Sequence, residues 1–235
     1  MIGSIFRFAG AVALTFVNAI AALVSIPFDR TGTLYHGISR CWSRNLLRVC
    51  GVRICVRGGE HIDRSHPTVY VSNHASMLDI PVVVAGIADD VRLVYKKELE
   101  WIPLFGWGLK WGSYIGIDRG RGNRAAKSLE ETVAKIRGGT SVLLFAEGTR
   151  TSNGKLQPFK RGAFHLATRA GVPVTPLTIN GSYGIVPKHS LRIRPGTVEL
   201  VLDVPIHLEE TTGRDAELRL MGQVRAAIEK NYIDQ

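Results

Sequence analysis

His74 and Asp79, in the stretch Asn73-His74-Ala75-Ser76-Met77-Leu78-Asp79, are a base and a carboxylate near enough in the chain to be paired. A histidine, with a reference pKa of about 6.5, is neutral and basic near physiological pH. A carboxylate bonded to one ring nitrogen fixes the tautomer and leaves the other nitrogen free to take a proton. Their offset constrains the backbone, because on a continuous helix the two side chains would stand about 140° apart. They meet only if the chain bends, with His74 ahead of a helix and Asp79 in its first turn. Ser72 and Asn73 are of capping type there. A second charged cluster follows in Phe145-Ala146-Glu147-Gly148-Thr149-Arg150. Glu147 is suited to accept hydrogen bonds from substrate hydroxyls, Arg150 to grip an anion bidentately, and Gly148 to let backbone approach a ligand. Together the clusters point to proton abstraction from a substrate that also carries an anion, most simply a phosphate.

A third cluster, Asp118-Arg119, follows Tyr114–Ile117, with Arg121 and Arg124 close behind and glycines at 120 and 122. Guanidiniums on a glycine-rich turn make a phosphate or carboxylate grip. Other chemistries find no support. Gly148 to Lys155 resembles a phosphate-binding P-loop, but the glycine spacing is one residue too long and Leu156 stands where Ser or Thr is required. There is no G-x-S-x-G elbow and no HExxH or related metal pattern. His74 is therefore expected to act on the substrate's own nucleophile, with no metal and no cofactor.

The elements that must position these residues are legible as an alternation. Apolar or β-branched runs at Val69–Val71, Val91–Tyr95, Tyr114–Ile117, Val142–Phe145, Val174–Ile179 and Val198–Leu202 predict strands. Helix-like segments fall between or after them at Arg124–Arg137, Arg161–Ala170 and Ala216–Tyr232, the first two closed by Gly138-Gly139 and by Gly171 with Pro173. This pattern predicts an α/β fold with a mixed, partly parallel central sheet flanked by helices. In such sheets chemistry gathers at the carboxyl ends of strands, and His74, Asp118-Arg119 and Glu147–Arg150 each follow a strand.

The 235 residues suffice for one sizeable core, and 45% of them are hydrophobic, as in a globular protein. A net charge of +10 favours an anionic partner. The basic residues are dispersed, and no nucleic-acid-binding motif is recognisable, so nucleic acid is disfavoured. Phe8 to Phe28 carries no charge, and a helix over Phe8–Ile26 would reach about 28 Å, near the hydrocarbon thickness of a bilayer. A signal peptide, a spanning helix and a helix entering one leaflet all fit; a membrane anchor is expected. Leu34, Ile38, Cys41, Trp42, Leu46 and Val49 then recur at helical steps, with Arg40, Arg44 and Arg48 on another face. That describes either an interfacial helix with a basic side for anionic lipid or an ordinary helix packed on the core. The expected organisation is residues 1–50 as membrane-anchoring helices and 51–235 as the catalytic domain. If the apolar helix spans, the basic excess after it puts its carboxyl side in the cytosol, and the catalytic domain is expected on the cytosolic face of the inner (cytoplasmic) membrane.

Taken in order, the motifs resemble those of the glycerolipid acyltransferase family, in particular its bacterial 1-acyl-sn-glycerol-3-phosphate (lysophosphatidic acid) acyltransferases. N-H-x-x-x-x-D matches at Asn73, His74 and Asp79, and I-D-R at Ile117-Asp118-Arg119. F-P-E-G-T-R matches at Phe145, Glu147, Gly148, Thr149 and Arg150, with Ala146 in place of the proline. V-P-x-x-P is similar to Val172–Pro176, and a K-x-E-L element to Lys96–Leu99. The resemblance spans about residues 50–200, together with an amino-terminal helical pair seen in some members, and four ordered motifs are far more specific than one. It implies His74 as general base and Asp79 as the residue that orients it. It also implies Lys96, Arg119, Glu147, Gly148, Thr149 and Arg150 as substrate-binding residues. The implied reaction moves an acyl chain from acyl-CoA or acyl-carrier protein, as co-substrate, to the 2-hydroxyl of 1-acylglycerol-3-phosphate, making phosphatidic acid. From the residues alone, an acyltransferase for another lysolipid such as lyso-ornithine lipid, a hydrolase, and a non-catalytic lipid-binding protein stay open.

Overall fold

In the computed structural model the described residues are 2–118, 120, 122–208 and 213–234. The chain opens with α1 (Ile2–Ser25), a short 3-10 turn (Ile26–Phe28) and α2 (Thr33–Cys50), then enters β1 (Val52–Arg57). Next come β2 (Val69–Ser72), α3 (Asp79–Gly86), β3 (Arg92–Lys96), a 3-10 turn (Lys97–Trp101), α4 (Phe105–Trp111) and β4 (Ile115–Ile117). The remainder is α5 (Asn123–Arg137), β5 (Val142–Phe145), α6 (Gly162–Ala170), β6 (Val174–Asn180), α7 (Ser182–Ile185), β7 (Gly196–Leu202) and α8 (Arg214–Asn231). All six strands read from the sequence are present, and β1 is added.

The seven strands form one sheet in the order β1-β7-β6-β2-β5-β3-β4. β6, β2, β5, β3 and β4 run parallel, whereas β7 is antiparallel to β6 and carries β1 beside it. The sheet is thus mixed and mainly parallel. Successive side chains of a strand point to opposite faces, and the core divides accordingly. Tyr70, Leu143, Leu177 and Ile179 pack with Leu46, Leu47, Val83 and Ile87 on the face of α2 and α3. Val69, Val71, Val142 and Val174 pack with Ile136, Phe164, Val224 and Ile228 on the face of α5, α6 and α8. Every residue of β2 is buried. Each large apolar side chain so buried contributes about 1.5–3 kcal/mol relative to exposure, so the strands that carry the site are firmly held.

α1 begins earlier than the sequence suggests, because Gly3 and Arg7 are accommodated in its first turns. Gly3–Phe28 is long and apolar enough to cross a membrane. Its two sides differ. Ala11, Leu14 and Ala22 pack inward, while Phe6, Val12, Phe16, Val17 and Val24 are exposed. α2 packs between α1 and α3. Trp42 donates its Nε1–H to Thr15 Oγ1 of α1 at 3.1 Å. Arg40 donates to the Ile87 and Asp89 carbonyls at 2.9 and 2.7 Å, at the end of α3. Ile38, Trp42 and Leu46 of its apolar face pack on protein, while Leu34, Cys41 and Val49 stay exposed.

Candidate active site

Because β2, β5, β3 and β4 are parallel, the segments that follow them emerge at one edge of the sheet. That edge brings together His74, Lys96, Asp118 and Glu147–Arg150, as the strand-end reading requires. Arg119 lies outside the described residues.

The bend between His74 and Asp79 is real, and its cause is Asp79 itself. α3 starts at Asp79. Asp79 Oδ2 accepts the N–H groups of Ala75 at 2.7 Å and Ser76 at 2.8 Å, folding the chain back ahead of the helix. The same oxygen lies 2.7 Å from His74 Nδ1. Asp79 is fully buried. With Nδ1–H donating to that carboxylate, Nε2 carries the free lone pair. The His74 ring stacks on Phe145, with centroids 3.9 Å apart and planes 13° apart, which fixes its remaining rotation.

Ser72 and Asn73 do not cap α3. Ser72 Oγ donates to the Asn73 carbonyl at 3.0 Å. The Asn73 side chain accepts from Ile179 N at 2.8 Å and donates to Ile179 O at 2.9 Å. Asn73 therefore imitates a backbone pair and prolongs the β2–β6 ladder by one step beyond Ser72. The capping expectation fails because α3 begins only at Asp79, with Leu78 at its N-cap position, so Ser72 and Asn73 lie well ahead of the helix entry. Asn73 is the site residue whose role the sequence reading missed.

Glu147 is also placed differently from expectation. It is 3% exposed, and its Oε1 and Oε2 accept the backbone N–H groups of His74 at 2.6 Å and Gln157 at 3.1 Å. Burial pushes its pKa up to about 7, against the lowering effect of the two amides; the Asp79 charge adds to the rise and Arg225 opposes it. It faces backbone, not an open cleft. Gly148 has φ +70°, a left-handed turn that favours glycine and directs the chain toward Thr149 and Arg150. Thr149 is exposed and Arg150 half-buried. Lys188 Nζ donates to the Arg150 carbonyl at 3.0 Å and holds this loop. Lys96, at the end of β3, is exposed and pairs with Glu98 at 3.2 Å.

Ala146, where the resembled motif has proline, donates its N–H to the Ser72 carbonyl at 2.9 Å. A proline has no hydrogen to give there, so the substitution adds a strand bond beside the site. Beyond β3 and β4 a cleft of about 650 Å³ is lined by Trp101, Trp107, Trp111, Lys97, Lys110 and Asp118, among others.

These features mark the chain as a member of a catalytic family. Residues 53–180 match the model of the Acyltransferase family, more than half of the chain, and the protein belongs to that family. Among individual relatives, it is 31% identical over 201 residues to the 1-acyl-sn-glycerol-3-phosphate acyltransferase of Cocos nucifera, covering 83% of this chain and 64% of that one. It is 34% identical over 166 residues to the human 1-acyl-sn-glycerol-3-phosphate acyltransferase alpha, covering 70% of this chain and 59% of that one. The chain thus spans between about half and just under two thirds of the length of the curated relatives it matches. The crystal structure of the 1-acyl-sn-glycerophosphate acyltransferase PlsC from Thermotoga maritima has the same fold, with a TM-score of 0.79, 21% identity and 97% of each chain covered.

Proposed function

We propose that this protein transfers an acyl chain from an acyl thioester, acyl-CoA or acyl-carrier protein, to the 2-hydroxyl of a 1-acylglycerol-3-phosphate, yielding phosphatidic acid. The observation that carries the reading is the 2.7 Å contact between His74 Nδ1 and buried Asp79, which leaves Nε2 unblocked on the same sheet edge as Arg150. His74 Nε2 takes the proton of the hydroxyl as its oxygen attacks the thioester carbonyl. Asp79 stabilises the imidazolium that forms. The tetrahedral adduct collapses, the carbon–sulfur bond breaks, and the proton passes from His74 to the leaving thiolate. No acyl-enzyme is needed, because the thioester is already activated and the task is positioning plus base catalysis. Arg150, with Arg119 and Lys96, supplies positive charge for the acceptor's phosphate.

Membrane attachment is part of the reading. The exposed apolar side of α1 is matched by outward-facing aromatics on the segment after β3: Trp101 is 86% exposed, Trp111 54% and Trp107 41%. α4 packs beside α1. Tryptophans of this kind sit at membrane–water interfaces, and here they are interspersed with Lys97 and Lys110. Docked so on the cytosolic face of the inner membrane, the enzyme meets an acceptor whose acyl chain stays in its leaflet.

Acyl transfer by the purified, detergent-solubilised protein tests this, from labelled acyl-CoA or acyl-carrier protein to lysophosphatidate, lyso-ornithine lipid, glycerol-3-phosphate or no acceptor. Selective formation of phosphatidate, lost in His74→Ala without loss of fold, is the expected result. Transfer to another acceptor corrects the substrate and keeps the chemistry. Release of free fatty acid without acceptor identifies a hydrolase, and inactivity with every pairing refutes the proposal.

A further inference from the structure

Glu147 stands where a substrate ligand is expected, yet both of its oxygens are occupied by backbone. Its Oε1 takes the His74 N–H at 2.6 Å and its Oε2 the Gln157 N–H at 3.1 Å. The other side of the His74 residue is held too, because Thr151 N donates to the His74 carbonyl at 2.8 Å. One short segment therefore grips the histidine at both its N–H and its C=O, and Arg150 lies between the two gripping residues. The segment is fixed in turn at Ala146, where it leaves β5. Ala146 N donates to Ser72 O at 2.9 Å, and Lys160 N to Ala146 O at 2.8 Å. On the opposite flank, Asn73 clamps Ile179 with both ends of its amide.

We infer that Glu147 is a positioning residue, one that sets the spacing between the His74 ring and the anion-binding Arg150, and not a ligand of the substrate. The carboxylate is 3% exposed, so a substrate hydroxyl has no open approach to it, and both oxygens already serve backbone amides. The strap instead makes the proton acceptor and the guanidinium parts of one unit. Such spacing matters, since a misplacement of about 1 Å at a reacting group costs on the order of a hundredfold in rate. The inference rests on the acyl-transfer reading, in which one acceptor must satisfy His74 and Arg150 together.

Glu147→Gln is the test. The side chain keeps its volume and one acceptor oxygen, but turns an N–H₂ group toward the other backbone donor. The expected result is a fall in kcat of about 10- to 100-fold, with the KM for lysophosphatidate unchanged within about twofold. Glu147→Asp, which keeps the charge but is too short to reach both amides, should fall between. Hydrogen–deuterium exchange of the full-length protein supplies a readout independent of turnover. The peptide bearing the His74 amide should exchange at least about tenfold faster in both variants, while peptides of β2 and α3 keep wild-type protection. A raised KM with kcat preserved would make Glu147 a substrate ligand and overturn the inference. So would unchanged exchange at His74, whether or not the wild type proves to be an acyltransferase. Absence of transfer by the wild type alongside altered exchange would count against the acyl-transfer reading and leave the strap standing. If Glu147→Gln fails to fold, Glu147→Asp carries both readouts.

Discussion

Replacing Asp79 by asparagine should separate charge from geometry at this site. Three donors converge on one carboxylate oxygen: His74 Nδ1, Ala75 N and Ser76 N, all within 2.8 Å. The two backbone amides admit only an acceptor there, so the asparagine oxygen must take that place and its N–H₂ group the place of Oδ1. The His74 tautomer is then preserved, with Nε2 still the free base. What disappears is the negative charge beside the imidazolium that forms during transfer. Opposite charges about 4 Å apart at an effective dielectric of about 20 attract by about 4 kcal/mol. The amide dipole retains part of this, leaving a loss of about 2–4 kcal/mol, or about 30- to 1000-fold in kcat. Thiol release from acyl-CoA in the presence of lysophosphatidate measures it, with the acceptor KM expected to stay within about twofold. A stability cost accompanies the rate loss. Asp79 Oδ1 is buried without a partner among the described residues, so the new N–H₂ group is unsatisfied at about 1–3 kcal/mol, lowering Tm by about 2–12 °C in a chain of this size. A kcat within threefold of wild type would refute the assignment of Asp79 as the charge that stabilises the imidazolium. Complete inactivity with wild-type Tm would refute the argument that the amides fix the asparagine rotamer.

Arg150→Ala should raise the KM for lysophosphatidate by about 10- to 100-fold, the loss of a charge-assisted contact, with kcat little changed in steady-state assays; a fall in kcat alone would deny it a binding role. Trp101→Glu, at an 86% exposed position, should reduce co-sedimentation with anionic vesicles several-fold while moving Tm by less than about 2 °C, since surface changes usually stay within about 0.5 kcal/mol; undiminished sedimentation would remove this tryptophan from the membrane contact. Glu147 titrates higher in the folded chain, near 7, than in the unfolded one, so the native state binds more protons between the two values. Its contribution to stability is therefore fully present below about pH 4.5 and is lost as pH rises to about 7. Denaturant titrations across that window should show a decline in wild-type stability that is shallower in Glu147→Gln.

The strands that carry the site were legible because they are buried on both faces. Val69–Ser72, Val142–Phe145 and Val174–Asn180 appear as short runs of apolar or β-branched residues with no alternation to misread. β1 escaped for the opposite reason. It lies at the edge of the sheet with only Val52 buried. Its signal is the weaker alternation of Val52, Ile54 and Val56 with Arg53, Cys55 and Arg57. α4 has two glycines in seven residues, a composition that disfavours helix in isolation. It is held from outside, for instance by Tyr35 donating its hydroxyl to the Gly108 carbonyl at 2.8 Å. The pairing of His74 with Asp79 was foreseeable, since their offset demanded a bend. The strap around His74 was not. Its partners are the backbone amides of Gln157 and Thr151 and the carbonyl of His74, which every sequence possesses and none advertises. For the same reason Glu147 read as a substrate ligand: its residue type and motif are visible, while the direction it points is set by tertiary contacts.

α1 offers one side to α2 and leaves the other bare, and α2 is packed in turn on α3, the helix that begins at Asp79. With α1 held in a bilayer, this makes the anchor a mount and not a leash. A domain on a flexible tether tumbles over the surface and searches a hemisphere of solution. A domain bolted through a shared core keeps one tilt and one depth, and its search is confined to two dimensions. For such a catalyst the relevant concentration of acceptor is its mole fraction in the leaflet, not its amount per litre. Excising α1 would then do more than free the protein from the membrane. It would uncover Trp42 and the flank of α2 that α1 now covers, trading an amphiphilic enzyme for an aggregation-prone one.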